Sequence, residues 1–180
     1  MSLTLHNLHP FSPYFKTFKT IFLKEFPQNE RLPIWFLYLS SFRSCVDFWT
    51  VLDNDEFAGF VYLVNDKQKT FVLYLAVNSA KQGKGYGSQI LELIKNKKAN
   101  HAIVLNIETV SDSNADNYEQ RLKRQKFYLK NGYEPMPFYL DDDGQRFDVL
   151  CQNRQISQQD YQRLLAKLAF GLKNIKTVLL

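Results

Sequence analysis

The sequence is short of several things, and each shortage closes a route. Cysteine is scarce. Cys45 and Cys151 stand alone and far apart, which gives neither a disulfide framework nor the close spacing of a metal or redox motif. Two such thiols in a chain of 180 residues fit a reducing cytoplasm. No apolar run reaches the roughly 18 residues of a membrane span, so no membrane association is expected. The first residues, MSLTLHNLHPFSPYF, lack a basic start followed by an apolar core, and no secretory signal is read there. Low-complexity segments, internal repeats and blocks of like charge are missing, which argues against disorder. No G-x-S-x-G, Cys–His pairing or metal-ligand cluster occurs, and His6, His9 and His101 belong to no motif. Covalent and metal-assisted catalysis are therefore not expected.

What is present is 45% hydrophobic and 15% aromatic. That is enough for one globular domain over residues 1–180 with its own core. The net charge of +5, from 23 basic and 18 acidic residues, would suit a polyanion, but charge alone does not make a nucleic-acid partner.

Spacing orders the chain. Phe15, Phe18, Ile21 and Phe22 form one stripe of an amphipathic helix from Pro13 to about Phe26, and a second helix follows Pro33. Three segments with strand chemistry come next, DFWTVLD, EFAGFVYLV and TFVLYLAV, separated by short Asn/Asp turns that suit antiparallel hairpins. The third runs into NSAKQGKGYGSQIL, after which Ile90, Leu91 and Ile94 have helical spacing. AIVLNIE (102–108) is an apolar run typical of a strand buried on both faces. Residues 70–108 thus read as strand, glycine loop, helix and parallel strand. A helix over about 117–131 ends at Gly132, with Tyr118, Leu122 and Leu129 as its apolar stripe. The acidic DDDG reads as a hairpin turn, because its spacing lacks the alternating ligands of a calcium loop. A last helix, about 157–173, starts at SQQD and docks through Leu164, Leu165, Leu168 and Leu172.

Three of the seven glycines, Gly83, Gly85 and Gly87, fall on alternate positions between a strand and a helix. A strand that turns through glycines into a helix presents unpaired backbone N–H groups and the positive end of a helix dipole, which favours a bound phosphate. A nucleotide-triphosphate loop would need Gly-Lys followed by Ser or Thr. The dinucleotide fingerprint would need glycine where Ser88 stands, and repeated crossovers where only one is visible.

Gln82-Gly83-Lys84-Gly85-Tyr86-Gly87 resembles the coenzyme A pyrophosphate loop of the GNAT superfamily of acyl-CoA-dependent N-acetyltransferases, Q/R-x-x-G-x-G/A. LAVNSAKQGKGYGSQIL resembles that family's strand, loop and helix, and RQKFYLKNGYEP its later helix ending FY..NGF. FPQNERLPIW and LNIETV are similar to a bacterial branch of unassigned substrate. The resemblance covers roughly residues 12–152. It implies an α/β fold whose central sheet is mixed, mostly antiparallel and splayed in the middle, with helices on both faces. It also implies acetyl-CoA as cosubstrate, no metal, and a small-molecule or peptide amine as acceptor, in a monomer or homodimer.

By that resemblance the coenzyme is held by Leu75, Ala76 and Val77 on the strand and by Gln82, Gly83, Lys84, Gly85, Tyr86, Gly87 and Ser88 on the loop. Arg121 stands where many members carry a pantetheine-contacting Asn, and Arg124 replaces a usual small residue, so RLKRQK would grip the arm differently or offer charge to the coenzyme phosphates. Tyr128 matches the family tyrosine that protonates the leaving thiolate. The amine needs a base, yet FVLYLAV carries no carboxylate. Glu108, leaving a hydrophobic strand, is the first choice, and Glu30, in the segment that lines the acceptor site in relatives, the second. The missing strand carboxylate and Arg121 leave a second expectation standing: a CoA-binding regulatory or interaction module that keeps the fold without turnover.

Overall fold

The computed structural model describes residues 3–111, 113, 115–168 and 176–179. Along them run β1 (Leu3–Asn7), α1 (Phe15–Glu25), α2 (Ile34–Ser40), β2 (Val46–Asp53), β3 (Glu56–Asp66) and β4 (Lys69–Val77). Then follow α3 (Tyr86–Lys97), β5 (Ala102–Glu108), α4 (Tyr118–Lys130), β6 (Glu134–Asp142), β7 (Gln145–Gln152), α5 (Gln158–Leu168) and β8 (Lys176–Leu179). The strands hydrogen-bond in the order β1-β2-β3-β4-β5-β7-β6-β8, an open mixed sheet. β4 and β5 are parallel, whereas β1/β2, β5/β7, β6/β7 and β6/β8 are antiparallel. By contact the chain divides into two compact units, Met1–Leu63 with Leu73–Lys97, and Val64–Val72 with Lys98–Leu180.

In the first unit β2 and β3 are joined by Asn54 and Asp55, both at positive φ (50° and 65°). Two left-handed residues make the tight turn whose twist matches paired strands, and Asn and Asp tolerate that conformation. So short a connection can join only antiparallel neighbours. α1 buries Phe18, Ile21 and Phe22 of the predicted stripe, while Phe15 is half-buried. Phe18 meets Phe48 and Phe60 edge-on, with ring centroids 5.0 and 4.8 Å away. Burying each such ring is worth about 1.5–3 kcal/mol.

Gly59, beside Phe60, points to the other face of β3. A Cβ there would lie 2.4 Å from the Ala76 carbonyl oxygen and 3.3 Å from Cδ1 of Ile90 on α3. α1 and α3 therefore cover opposite faces of β3, and the bare residue lets β4 and α3 come close.

In the second unit β5 is buried along nearly its whole length. Its parallel ladder with β4 covers Lys69–Phe71 against Ala102–Val104, while that with β7 runs from Ile103 to Glu108. The β6–β7 turn places Asp143 and Gly144 at φ 52° and 88°, and Asp141 Oδ1 accepts from the Gly144 N–H at 2.8 Å. The acidic run is thus a turn, as its spacing suggests. Ser157 Oγ caps α5 by accepting from Asp160 N at 3.1 Å. The helix buries Tyr161, Leu164 and Leu165, and the Tyr161 hydroxyl donates to Asn106 Oδ1 at 2.7 Å. Leu172, and the helix expected as far as residue 173, lie outside the described residues.

Two strands, β1 and β8, are not foreseen in the sequence. Both are short edge strands whose existence depends on a partner rather than on their own pattern. The stripe expected on α4 is corrected as well. No residue of α4 is buried, and Leu129 is 43% exposed. Neither cysteine is in a disulfide; Cys151 is buried and Cys45 half-buried.

Candidate functional site

The glycine loop belongs to the first unit. β4 ends at Val77, and the backbone N–H of Asn78 donates to the Ala58 carbonyl at 2.8 Å. The Asn78 side chain accepts from Ala80 N and donates to the Phe57 carbonyl, both at 3.2 Å. This fixes a 3-10 turn, Ser79–Lys81, from which Gln82–Gly85 lead into α3. Gly83 and Gly85 sit at φ +74° and +84°, the left-handed region closed to most side chains.

The space outside the two glycines is open. Among the described residues, and leaving aside the chain neighbours, no atom lies within 4 Å of a Cβ placed on Gly83, and on Gly85 only Gln89 Nε2, at 3.9 Å. The glycines are not there to avoid other parts of the protein. They let the backbone turn, and they leave its outer side bare where the first N–H groups of α3 lack intrahelical acceptors. Such a cradle fits a pyrophosphate, and a branched side chain would fill it.

Around it, Gln82 Nε2 donates to the Val77 carbonyl at 3.1 Å and Lys84 Nζ to the Ala80 carbonyl at 3.0 Å. Ser88 is half-buried, and the side chain of Tyr86 is buried. On β4, Leu75 and Val77 are half-buried and Ala76 is buried. Glu30 lies on a second 3-10 turn, Gln28–Glu30, held to β4 by Tyr74, whose hydroxyl donates to the Glu30 carbonyl at 3.0 Å and accepts from Leu32 N at 2.9 Å.

Glu108, Arg121 and Arg124 come together in the second unit. Glu108 is 6% exposed at the end of β5. Its Oε1 pairs with Arg121 Nη2 at 2.8 Å and its Oε2 with Arg124 Nη1 at 3.3 Å. Asn117 Nδ2 reaches both oxygens, at 3.3 and 3.2 Å. Asn117 also accepts from Arg121 Nε at 2.6 Å, and Arg121 donates to the Thr109 carbonyl at 3.2 Å. An ionised carboxylate has about four acceptor sites, and four donor contacts meet this one. Glu108, the first choice for base in the sequence, is thus a carboxylate engaged through both oxygens. It is an anchor that ties the first turns of α4 to β5. The two arginines, expected to grip the pantetheine arm differently or to offer charge to the coenzyme phosphates, are turned onto it.

Tyr128 lies in the last turn of α4, four residues after Arg124. Gly132 closes the helix at φ +81°, with its N–H donating to the Leu129 carbonyl at 3.0 Å and Tyr133 N to the Tyr128 carbonyl at 3.1 Å. The Tyr128 ring packs against Phe127 and Tyr133, with centroids 5.1 and 5.5 Å away. Loss of solvent around its half-buried ring pushes its phenol above the ordinary value, and the Arg124 guanidinium offsets only part of this. At neutral pH it keeps its proton, as a donor must.

The Acetyltransferase (GNAT) domain model matches residues 44–135, just over half the chain and the stretch that holds the glycine loop, Glu108 and Tyr128. The chain belongs to the GNAT acetyltransferase family.

No curated protein matches its sequence significantly. Among solved structures, a protein from Bacteroides thetaiotaomicron described as a GNAT-family acetyltransferase superposes with TM-score 0.78 at 20% identity, covering 94% of this chain and 99% of its own. A Bacillus subtilis acetyltransferase in complex with CoA gives 0.59 at 14% identity, over 86% and 100%. A variant of a spermidine N-acetyltransferase from Vibrio cholerae gives 0.62 at 14%, over 83% and 92%. At these identities the likeness is one of fold. Among the described residues, no helix is long and apolar enough to cross a membrane, and no three His, Cys, Asp or Glu side chains group as metal ligands.

The GNAT motif gave the loop and Tyr128, but several residues that shape the two places had no sequence signal. Gly59 looks like any strand glycine, and Asp53 like a hairpin acid. Asn117 opens the helix expected over about 117–131, and nothing there marks it as a partner of Glu108.

Proposed function

We propose that this GNAT-family chain transfers an acetyl group from acetyl-CoA to a primary amine by direct attack in a ternary complex. One observation carries the reading: a loop opened by two left-handed glycines, bare on its outer side, at the N-terminus of α3 in a member of this family. The first N–H groups of α3 and the loop backbone bind the coenzyme pyrophosphate, and the end of β4, Leu75 to Val77, holds the pantetheine arm. Acetyl-CoA supplies an activated acyl group whose leaving thiolate needs a proton. Tyr128, protonated at neutral pH, donates it.

The four donor contacts on Glu108 argue against its serving as base. The amine then attacks as its neutral fraction, losing its proton to water or to Glu30, the remaining candidate carboxylate. Relatives in fold include an enzyme acting on spermidine, and what carries over from it is the primary amine as acceptor class, not the particular amine.

The engaged Glu108 and the carboxylate-free β4 favour a second reading, a CoA-binding module without turnover. Titration calorimetry with CoA tests what both readings share. Micromolar or tighter binding is expected, and no heat at millimolar CoA would overturn both. A panel of amines assayed by thiol release then separates them, because only the enzyme releases CoA faster when an amine is added.

A further inference from the structure

Both ends of the glycine loop converge on one buried carboxylate. Asp53, the last residue of β2, is 7% exposed. From the far end of the loop, the hydroxyl of Tyr86, the first residue of α3, donates to Asp53 Oδ2 at 2.5 Å. From the near end, Lys81 Nζ lies 3.8 Å from the same oxygen and 3.0 Å from Glu56 Oε2. Lys81 Nζ also stands 5.3 Å from the centroid of the Tyr86 ring, a cation–π contact that joins the two ends directly. Asp53 Oδ1 is buried and has no hydrogen-bond partner among the described residues. A buried acid with one oxygen unsatisfied costs free energy, and such a group calls for an explanation.

We propose that Asp53, Lys81 and Tyr86 form a clamp that sets the conformation of Gln82–Gly85 for coenzyme binding, with Asp53 as a positioning residue that touches no ligand. Glycines at positive φ have many alternative conformations, and those are lost when phosphate binds. A loop whose flanking residues, 81 and 86, are tied to one carboxylate has much of that freedom removed beforehand, and preorganisation appears as affinity. The clamp rests on the coenzyme-loop reading above and adds to it three side chains whose role is geometric. The Asp53 carboxylate is repaid for burial by a short hydrogen bond and a cation, not by the ligand. Lys81 is drawn inward, its side chain 15% exposed, rather than held out as a phosphate ligand.

Two variants that cut the clamp from opposite ends test it. Tyr86→Phe keeps the ring, its packing and the cation–π contact but loses the hydrogen bond. Lys81→Met removes the charge at the other end. Each is expected to weaken CoA binding about tenfold by calorimetry, with an unchanged circular-dichroism spectrum. Dephospho-CoA, which retains the pyrophosphate, should lose affinity by the same factor, while pantetheine, which lacks it, should show no change. In turnover, KM for acetyl-CoA should rise more than kcat falls, a split that general loosening of the fold would not produce. Because both act through Asp53, the double variant should lose less than the product of the single losses.

CoA affinity at the wild-type level in both variants would overturn the clamp. A loss in Lys81→Met alone would assign Lys81 directly to the phosphates and overturn it as well. Should Lys81→Met fail to fold, Tyr86→Phe decides; should Tyr86→Phe fail, Asp53→Asn takes its place with the same loss expected, and wild-type affinity there would overturn the clamp. Failure of the wild-type chain to bind CoA would instead overturn the loop reading on which the clamp rests.

Discussion

Glu108→Gln separates an anchoring acid from a catalytic base with one nearly isosteric change. Glu108 is 6% exposed and pairs with Arg121 and Arg124, whose side chains are 17% and 35% exposed. Removing one partner of a buried ion pair costs about 3–5 kcal/mol, chiefly by leaving the other charge uncompensated. Glutamine keeps one acceptor oxygen, and Arg124 is open enough to be rehydrated, so the loss here comes to about 2–3 kcal/mol. For a chain of this size that lowers the melting midpoint by about 5–10 °C. The deficit should survive in 0.5 M salt, because buried pairs are weakly screened. Thermal unfolding at neutral pH followed by circular dichroism measures it. An anchor also predicts a modest effect on turnover, less than about tenfold, with the shape of the pH–rate profile kept. A variant with the wild-type midpoint, a loss of about 100-fold or more and a missing alkaline-rising limb would refute this reasoning and return Glu108 to the role of base.

Three further outcomes follow from the same geometry. Gly85→Asn, tolerated at positive φ, still puts a side chain over the open loop and should weaken CoA binding at least about tenfold by calorimetry; an unchanged affinity contradicts the phosphate cradle. Tyr128→Phe should leave the melting midpoint and CoA affinity in place while lowering amine-dependent turnover about 10- to 1000-fold, and wild-type turnover would reduce Tyr128 to packing. Alkaline pH should destabilise the fold. Burial raises the phenols of Tyr62, Tyr133 and Tyr161, lifts Tyr74 from 10.0 to about 12, and lifts the Cys151 thiol from 9.0 to about 11. The unfolded chain then loses these protons first, so stability is fully present below about pH 9 and falls as pH rises from there toward 12; a midpoint flat from pH 8 to 11 would contradict it.

The parts of the fold that could be read beforehand are those with a local cause. Phe18, Ile21 and Phe22 repeat at helical spacing, Asn54-Asp55 suits a left-handed turn, and AIVLNIE is apolar enough to be buried on both faces. Each announces itself within a few residues. β1 and β8 do not, because an edge strand of four or five residues is defined by its neighbour. The candidate site divides the same way. Gly83 and Gly85 were legible because left-handed backbone has a residue signature. The surroundings of Glu108 were not, since a strand-end acid looks the same in sequence whether it faces water or two guanidinium groups. Arg121 and Arg124 looked like coenzyme ligands for a similar reason: charge shows in a sequence, but its direction does not. Asp53 meets Lys81 and Tyr86 across 28 and 33 positions, a pairing that only the folded first unit brings about.

The central claim is catalysis, and amine-dependent release of free thiol from acetyl-CoA tests it most directly. The wild-type chain, given acetyl-CoA and a panel of primary amines, should release CoA faster with at least one of them. Mass spectrometry should show that amine heavier by one acetyl group, in step with the thiol. Thiol release that no amine accelerates, from a chain that nonetheless binds CoA, would contradict acetyl transfer and leave a coenzyme-binding module in its place.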